Sequence, residues 1–215
     1  MHMKKKVIPA LLVLILCIVT LSGCVKVVKI GEEDKVTGET QFHAGDNVAE
    51  FWESEALPEL NDKAVDLGEF LTEANGDLTA LADEHGRYSM GDSGELSYTV
   101  KGVGTIEAVD TESKAGTMTI RLNDYAGAQE IRIQVGTVIK GSSIRDSLSF
   151  IKFGDYVNQQ DFAAVSQSIN SIVMETVIDP EKAQDMNGKE IRFVGCFTVS
   201  DNQTLLITPV MLEEQ

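Results

Sequence analysis

Hydrophobic positions follow two periods along this chain, and the period changes near Leu96. Before it, apolar residues recur at three and four. Val48, Phe51 and Trp52 share one face of a helix predicted over residues 46–55, with Asp46 placed to cap it. Leu60, Ala64, Leu67, Phe70 and Leu71 carry the spacing through 57–86 in pieces. Pro58 suits a helix start, Asn75-Gly76 is a break, Asp77 is placed to cap a second piece, and Gly86 ends it. Residues 88–95, with Gly91 and Gly94, read as a loop.

From Leu96 the chain turns β-rich. Strands are predicted at 96–109, 117–122, 130–135, 190–199 and 204–212, with Val138-Ile139 extending the third past Gly136. Polar turns at 110–116 and 200–203 join two pairs as hairpins. Two helices interrupt the set. Ser143-Ile144-Arg145-Asp146 has the form of a capping box. Residues 161–178 place Phe162, Val165, Ile169, Ile172, Val173 and Thr176 on one face, with Asn158 as cap and Asp179-Pro180 as stop. Strands around an inserted helix resemble a small oligonucleotide/oligosaccharide-binding (OB-like) antiparallel β-barrel. The expected fold is α+β: a helical annex over 46–95, then an OB-like domain over 96–215.

The N-terminus has its own pattern. Lys4, Lys5 and Lys6 precede an apolar run from Val7 to Leu21, and Leu21-Ser22-Gly23-Cys24 follows. That is the layout of a bacterial lipoprotein signal peptide over residues 1–23, cleaved before a lipid-bearing Cys24. The run of about 15 residues is short of the ~20 a bilayer-crossing helix needs. Residues 24–45 become a lipidated N-terminus and tether, and the location is extracytoplasmic, held at a bacterial membrane by lipid.

Charge narrows the partners. Without Lys4, Lys5 and Lys6 the 18 basic residues become 15, against 34 acidic, a net of −19. Such a surface repels nucleic acid and anionic lipid alike. Of three cysteines, Cys17 leaves with the signal and Cys24 takes the lipid, so Cys196 is a lone thiol in an apolar strand.

No constellation for catalysis is present. Gly91-Asp92-Ser93-Gly94 matches a protease nucleophile loop in letters, without the histidine and buried aspartate such an enzyme needs. Gly136 to Ser142 has phosphate-loop spacing but lacks the lysine, and Gly102-x-Gly104 lacks the third glycine of a dinucleotide fingerprint. His43 and His85 have no partners at metal-ligand spacing. The expectation is a protein that is not an enzyme, with no cofactor and no metal.

One stretch, residues 141–160, gathers a guanidinium, carboxylates, aromatics and side-chain amides. That mix suits a neutral polar ligand such as a sugar, whose hydroxyls bind planar polar groups. The candidates are Arg145, Asp146, Asn158 and Gln159, with Trp52 as a distant aromatic platform. Each also has a structural alternative: Asp146 closing a capping box, Asn158 capping a helix, Arg145 pairing with a surface carboxylate, Trp52 in the core.

Several separated segments also carry a family resemblance: Phe42 to Trp52 running on to Leu57-Pro58, and Lys63-Ala64-Val65-Asp66-Leu67. Val100-Lys101-Gly102-x-Gly104, Ile144-Arg145-Asp146 through Asn158-Gln159, and Ile207-Thr208-Pro209-Val210 complete the set. In this order they resemble the DUF2291 family of predicted periplasmic lipoproteins. Tyr156-Val157 departs from the family's aromatic and small-hydroxyl pair. The family has no established activity. Its members tend to be encoded beside ribose-type sugar ABC transporters, which implies an accessory role: binding a small carbohydrate, or docking on transporter components. The alternative is a structural or assembly lipoprotein that binds only protein partners.

Overall fold

The computed structural model describes residues 44–215. The expected signal peptide, Cys24 and the tether up to residue 43 fall outside the described residues, and the tether's last two residues, Ala44 and Gly45, open the first helix.

Helix α1 (Ala44–Phe51) passes through a π-helical turn, Trp52–Ala56, into α2 (Leu57–Lys63). The two helices expected here are therefore one helical run. Pro58 has no N–H to send back to the preceding turn. The wider turn lies just before it, where the Leu57 N–H reaches Trp52 O instead. Strand β1 (Val65–Asp66) follows, and Asp66 then caps α3 (Leu67–Ala74) by accepting the Glu69 N–H at 3.0 Å. The helix stops where Asn75 turns left-handed at φ 46°. Asp77 binds the Thr79 N–H and hydroxyl, but only a tight turn forms; regular helix resumes as α4 (Ala82–His85). A short strand not expected from the pattern, β2 (Gly86–Tyr88), lies where the helical stretch was to end at Gly86 and reaches the first residue of the expected loop.

The β-rich half is organised by β3 (Leu96–Asp110), 15 residues long. One edge is covered by β6 (Glu190–Thr198), from Ser97↔Thr198 to Thr105↔Glu190. The other edge meets three partners in turn: β2 at residues 96–98, β1 at 100–101, and β4 (Thr117–Leu122) at 104–110. Strand β4 pairs with β5 (Glu130–Gln134), β5 with β7 (Thr204–Glu214), and β7 with β6, which closes a ring of five strands. Every ring pairing is antiparallel except β5 with β7. Residues 135–189 cross between β5 and β6. They carry α5 (Ser143–Ser147), α6 (Gln159–Thr176) and α7 (Pro180–Ala183). Val138-Ile139 does not extend β5. There Gly136 crosses Gly116 so closely that an added β-carbon would lie 2.2 Å from the Gly116 nitrogen.

Apolar residues from both halves form one core. Phe70 of α3, Tyr98 of β3 and Phe197 of β6 stack with ring centroids 4.7–6.1 Å apart. The Tyr98 hydroxyl donates to Leu78 O at 2.6 Å, tying the helical annex to the ring. Burial pushes its pKa to about 12, with Tyr88 and Asp77 adding to the rise. Cys196 is fully buried; burial pushes its thiol up to about 11, despite hydrogen bonds with Thr99 and Ser147. Among the described residues no helix is long and apolar enough to cross a membrane.

Candidate functional site

All five residues of α5 are buried, and its ionic groups are used inside the fold. Asp146 Oδ1 accepts from Arg145 Nε at 2.8 Å and lies 2.7 Å from Nη2. Oδ2 accepts from the Ser142 hydroxyl at 2.7 Å. The hydroxyl that meets Asp146 is thus one residue earlier than the capping-box pattern proposed, because Ser143 points inward and donates to Cys196 O. Arg145 pairs with this buried carboxylate rather than a surface one. It also donates from Nη1 to Phe162 O at 3.1 Å and lies 3.6 Å over the Phe162 ring. With side chains 9% and 0% exposed, the pair bolts α5 to α6.

Asn158 caps α6: its Oδ1 accepts the Asp161 N–H, and its Nδ2 donates to the Asp161 carboxylate, both at 2.9 Å. Gln159 is exposed at the first position of α6. Trp52 is 3% exposed within the core, with no free ring face. The structure brings Arg145 and Gln159 to one small cleft of about 260 Å³, with Ser89, Glu95 and Phe153. Asp146, Asn158 and Trp52 do not line it.

A larger cleft, about 570 Å³, lies over the outer face of β4 and β5 and the loop between them. Met118, Ile120 and Leu122 point into the core, so Thr119 and Arg121 face out. Arg121 Nε donates to Glu107 at 2.8 Å, and both side chains stay at least half exposed. The loop adds Asn123, Asp124, Tyr125 and Gln129. Asn123 reaches Glu190 at 3.0 Å, and the Tyr125 hydroxyl donates to Gln129 Oε1. The ring of Tyr125 lies directly on Gly127, where a β-carbon would fall 1.9 Å from the hydroxyl oxygen. Glycine is therefore required there for the phenol to sit over the loop. Burial raises the Tyr125 pKa, so the phenol is a neutral donor and acceptor at ordinary pH. The same loop borders a second opening of about 500 Å³ beside Thr72 and Asn75.

This face has the groups that sugars use: amides, carboxylates, a guanidinium and one aromatic ring. Three carboxylates, Glu107, Asp124 and Glu130, stand against one cation, so it suits a neutral ligand over an anion. Sequence reasoning passed it over. The signal was Asn123-Asp124-Tyr125 with Gln129, the same mix that singled out 141–160, but in a short inter-strand loop. Among the described residues no cluster of three or more histidine, cysteine or carboxylate side chains could hold a metal ion.

The model of DUF2291, described as a predicted periplasmic lipoprotein, matches residues 14–213. The chain belongs to the DUF2291 family. This DUF2291 protein is therefore extracytoplasmic and lipid-anchored. No curated protein matches it. Its fold is similar to that of an OB-fold protein from Thermotoga maritima solved by crystallography, with a TM-score of 0.62. That match covers 82% of this DUF2291 chain and all of the Thermotoga chain at 20% identity, and it shows the fold alone.

Proposed function

We propose that this DUF2291 protein is an accessory component of a sugar ABC transport system, anchored through lipid on Cys24, that binds a small neutral carbohydrate without catalysis. The observation that supports a binding role most directly is the β4–β5 cleft: Tyr125 with Asn123, Asp124, Gln129 and Arg121 around about 570 Å³. That volume lies within the ~300–1,000 Å³ common for small-ligand sites. The cleft also occupies the sheet face that OB-type folds use for ligands. The link to sugar transport rests on the family resemblance.

A second reading, docking on a transporter component, is favoured by where apolar side chains are exposed. Of four large exposed ones among the described residues, Met90 (57%) and Phe153 (41%) flank the Arg145–Gln159 cleft. Val157 (94%) lies next to the α6 cap. Acidic neighbours in sequence, Asp92, Glu95 and Asp155, fit a partner with an apolar knob and a basic rim.

The test is thermal unfolding of the full-length protein in detergent with neutral pentoses and hexoses. A sugar at 100 times its Kd adds about 2.7 kcal/mol, which raises the midpoint by roughly 5–10 °C in a chain of this size. One sugar should do so, and Tyr125→Ala should remove the shift. If no sugar shifts the midpoint, the cleft is not a carbohydrate site. Crosslinking from Phe153 to transporter components then tests the docking reading.

A further inference from the structure

A third cleft, of about 420 Å³, lies among the ends of α2 and α4, strands β2 and β3, and α5. It stands apart from the face of β4 and β5, and none of its lining residues is shared with that cleft. Its distinctive member is Arg87. The chain has five arginines, and four of them have a carboxylate at ion-pair distance: Arg121, Arg132, Arg145 and Arg192. Among the described residues Arg87 has none, in a protein where acidic side chains outnumber basic ones 34 to 18. Two buried side-chain nitrogens lack any hydrogen bond there, Nε of Arg87 and Nε of Arg132. Arg132 keeps Glu130 as its counter-charge. Arg87 is held only through Nη2, which donates to Ile151 O at 3.1 Å.

The surroundings fit a small anion. Lys63 and His85, the last residues of α2 and α4, stand at the same cleft, each beside a carboxylate. Glu59 is 2.5 Å from Lys63 Nζ and Glu84 is 3.6 Å from His85 Nε2, which leaves Arg87 as the cleft's one cation without a counter-charge among the described residues. The floor is made of hydroxyls. Ser97 sits opposite Arg87 in the β2–β3 register, Thr99 is two residues on, and Ser147 comes from α5. Ser97 and Thr99 each have one partner in the fold, Thr198 at 2.9 Å and the Cys196 sulfur at 3.6 Å, and Ser147 has two, Ser143 O at 2.8 Å and the Cys196 sulfur. A hydroxyl with one partner still has capacity for another. Asp62 and Glu84 also line the cleft, and they disfavour a doubly charged phosphate. A guanidinium fork matches a planar carboxylate bidentately.

We propose that this cleft binds a small monoanionic hydroxy acid, with its carboxylate on Arg87 beside Lys63 and His85 and its hydroxyls on Ser97, Thr99 and Ser147. The experiment is isothermal titration calorimetry of the full-length protein in detergent with gluconate, glucuronate and lactate, against glucose and inorganic phosphate. At least one acid should bind with a Kd below about 1 mM. Arg87→Gln should weaken it at least about tenfold and Lys63→Met several-fold, while Tyr125→Ala leaves it unchanged. Three results overturn the proposal: no acid binds, phosphate binds more tightly than every acid, or Arg87→Gln leaves the affinity as it was. Should Arg87→Gln fail to fold by circular dichroism, Lys63→Met and His85→Gln decide, and unchanged affinity in both overturns it. A loss on Tyr125→Ala would place the acid in the β4–β5 cleft and overturn it as well.

Discussion

The stretch around Arg145 and the loop around Tyr125 are built from the same kinds of side chain and put them to opposite uses. At Arg145 the guanidinium, both carboxylate oxygens of Asp146 and both ends of the Asn158 amide are bound within the fold. At Tyr125 the ion pair of Arg121 with Glu107 lies half in solvent, and amides border an open cleft. Residue type alone therefore does not mark a binding surface; what marks it is hydrogen-bonding capacity left over after folding. Buried polar groups must find partners, and the partners at 141–160 come from the chain itself.

The sharpest break of this comparison is Asp146→Ala. It strands a buried guanidinium, and urea unfolding should show a loss of about 3–5 kcal/mol. A loss under about 1 kcal/mol would mean that Arg145 is solvated and free for a ligand. Next is Tyr98→Phe, which removes the hydrogen bond to Leu78 O and should cost about 1 kcal/mol. It also carries a pH signature. The folded phenol titrates near 12 against a reference of 10.0, so the unfolded chain loses this proton first. The Tyr98 contribution is complete below pH 10 and is lost as pH rises from 10 towards 12. Alkaline unfolding curves of Tyr98→Phe should lack that part of the decline. Asn158→Ala should cost about 1 kcal/mol through loss of the α6 cap. The smallest effect on stability belongs to the other region: Arg121→Ala should change unfolding by less than about 1 kcal/mol. The same variant should reduce the midpoint shift produced by a bound sugar, and an undiminished shift would remove Arg121 from the site.

Much of the fold was legible where the pattern is local. The strand at 117–122 falls at its predicted bounds, and Asn158 caps α6 as its position implied. The elements that were missed are specified by distant residues. Strand β1 has two residues and β2 three, and each exists because β3 offers a free stretch of edge. No periodicity within so few residues announces a strand. The π turn at Trp52–Ala56 is hidden for a related reason, since its residues are ordinary helix formers. Of the nominated site, Arg145 and Gln159 reach a common cleft. The sequence held the ingredients of the Tyr125 face as well, but a loop of seven residues gives no sign that it overhangs an open sheet. The pairing of Asp146 with Ser142 rather than Ser143 turned on which hydroxyl faces Cys196, a contact 53 residues away.

The closed ring has a consequence for life at a surface. A lipid-anchored molecule is confined to two dimensions, where neighbours meet far more often than in solution. Under that confinement a long unpaired strand would recruit its neighbour's and seed ordered aggregates. Strand β3, the longest here, is flanked by β6 on one side and by β2, β1 and β4 in succession on the other. What it leaves at the rim are two- and three-residue strands, too short to template another chain. Among the described residues, β3 therefore offers a neighbouring copy no long free edge.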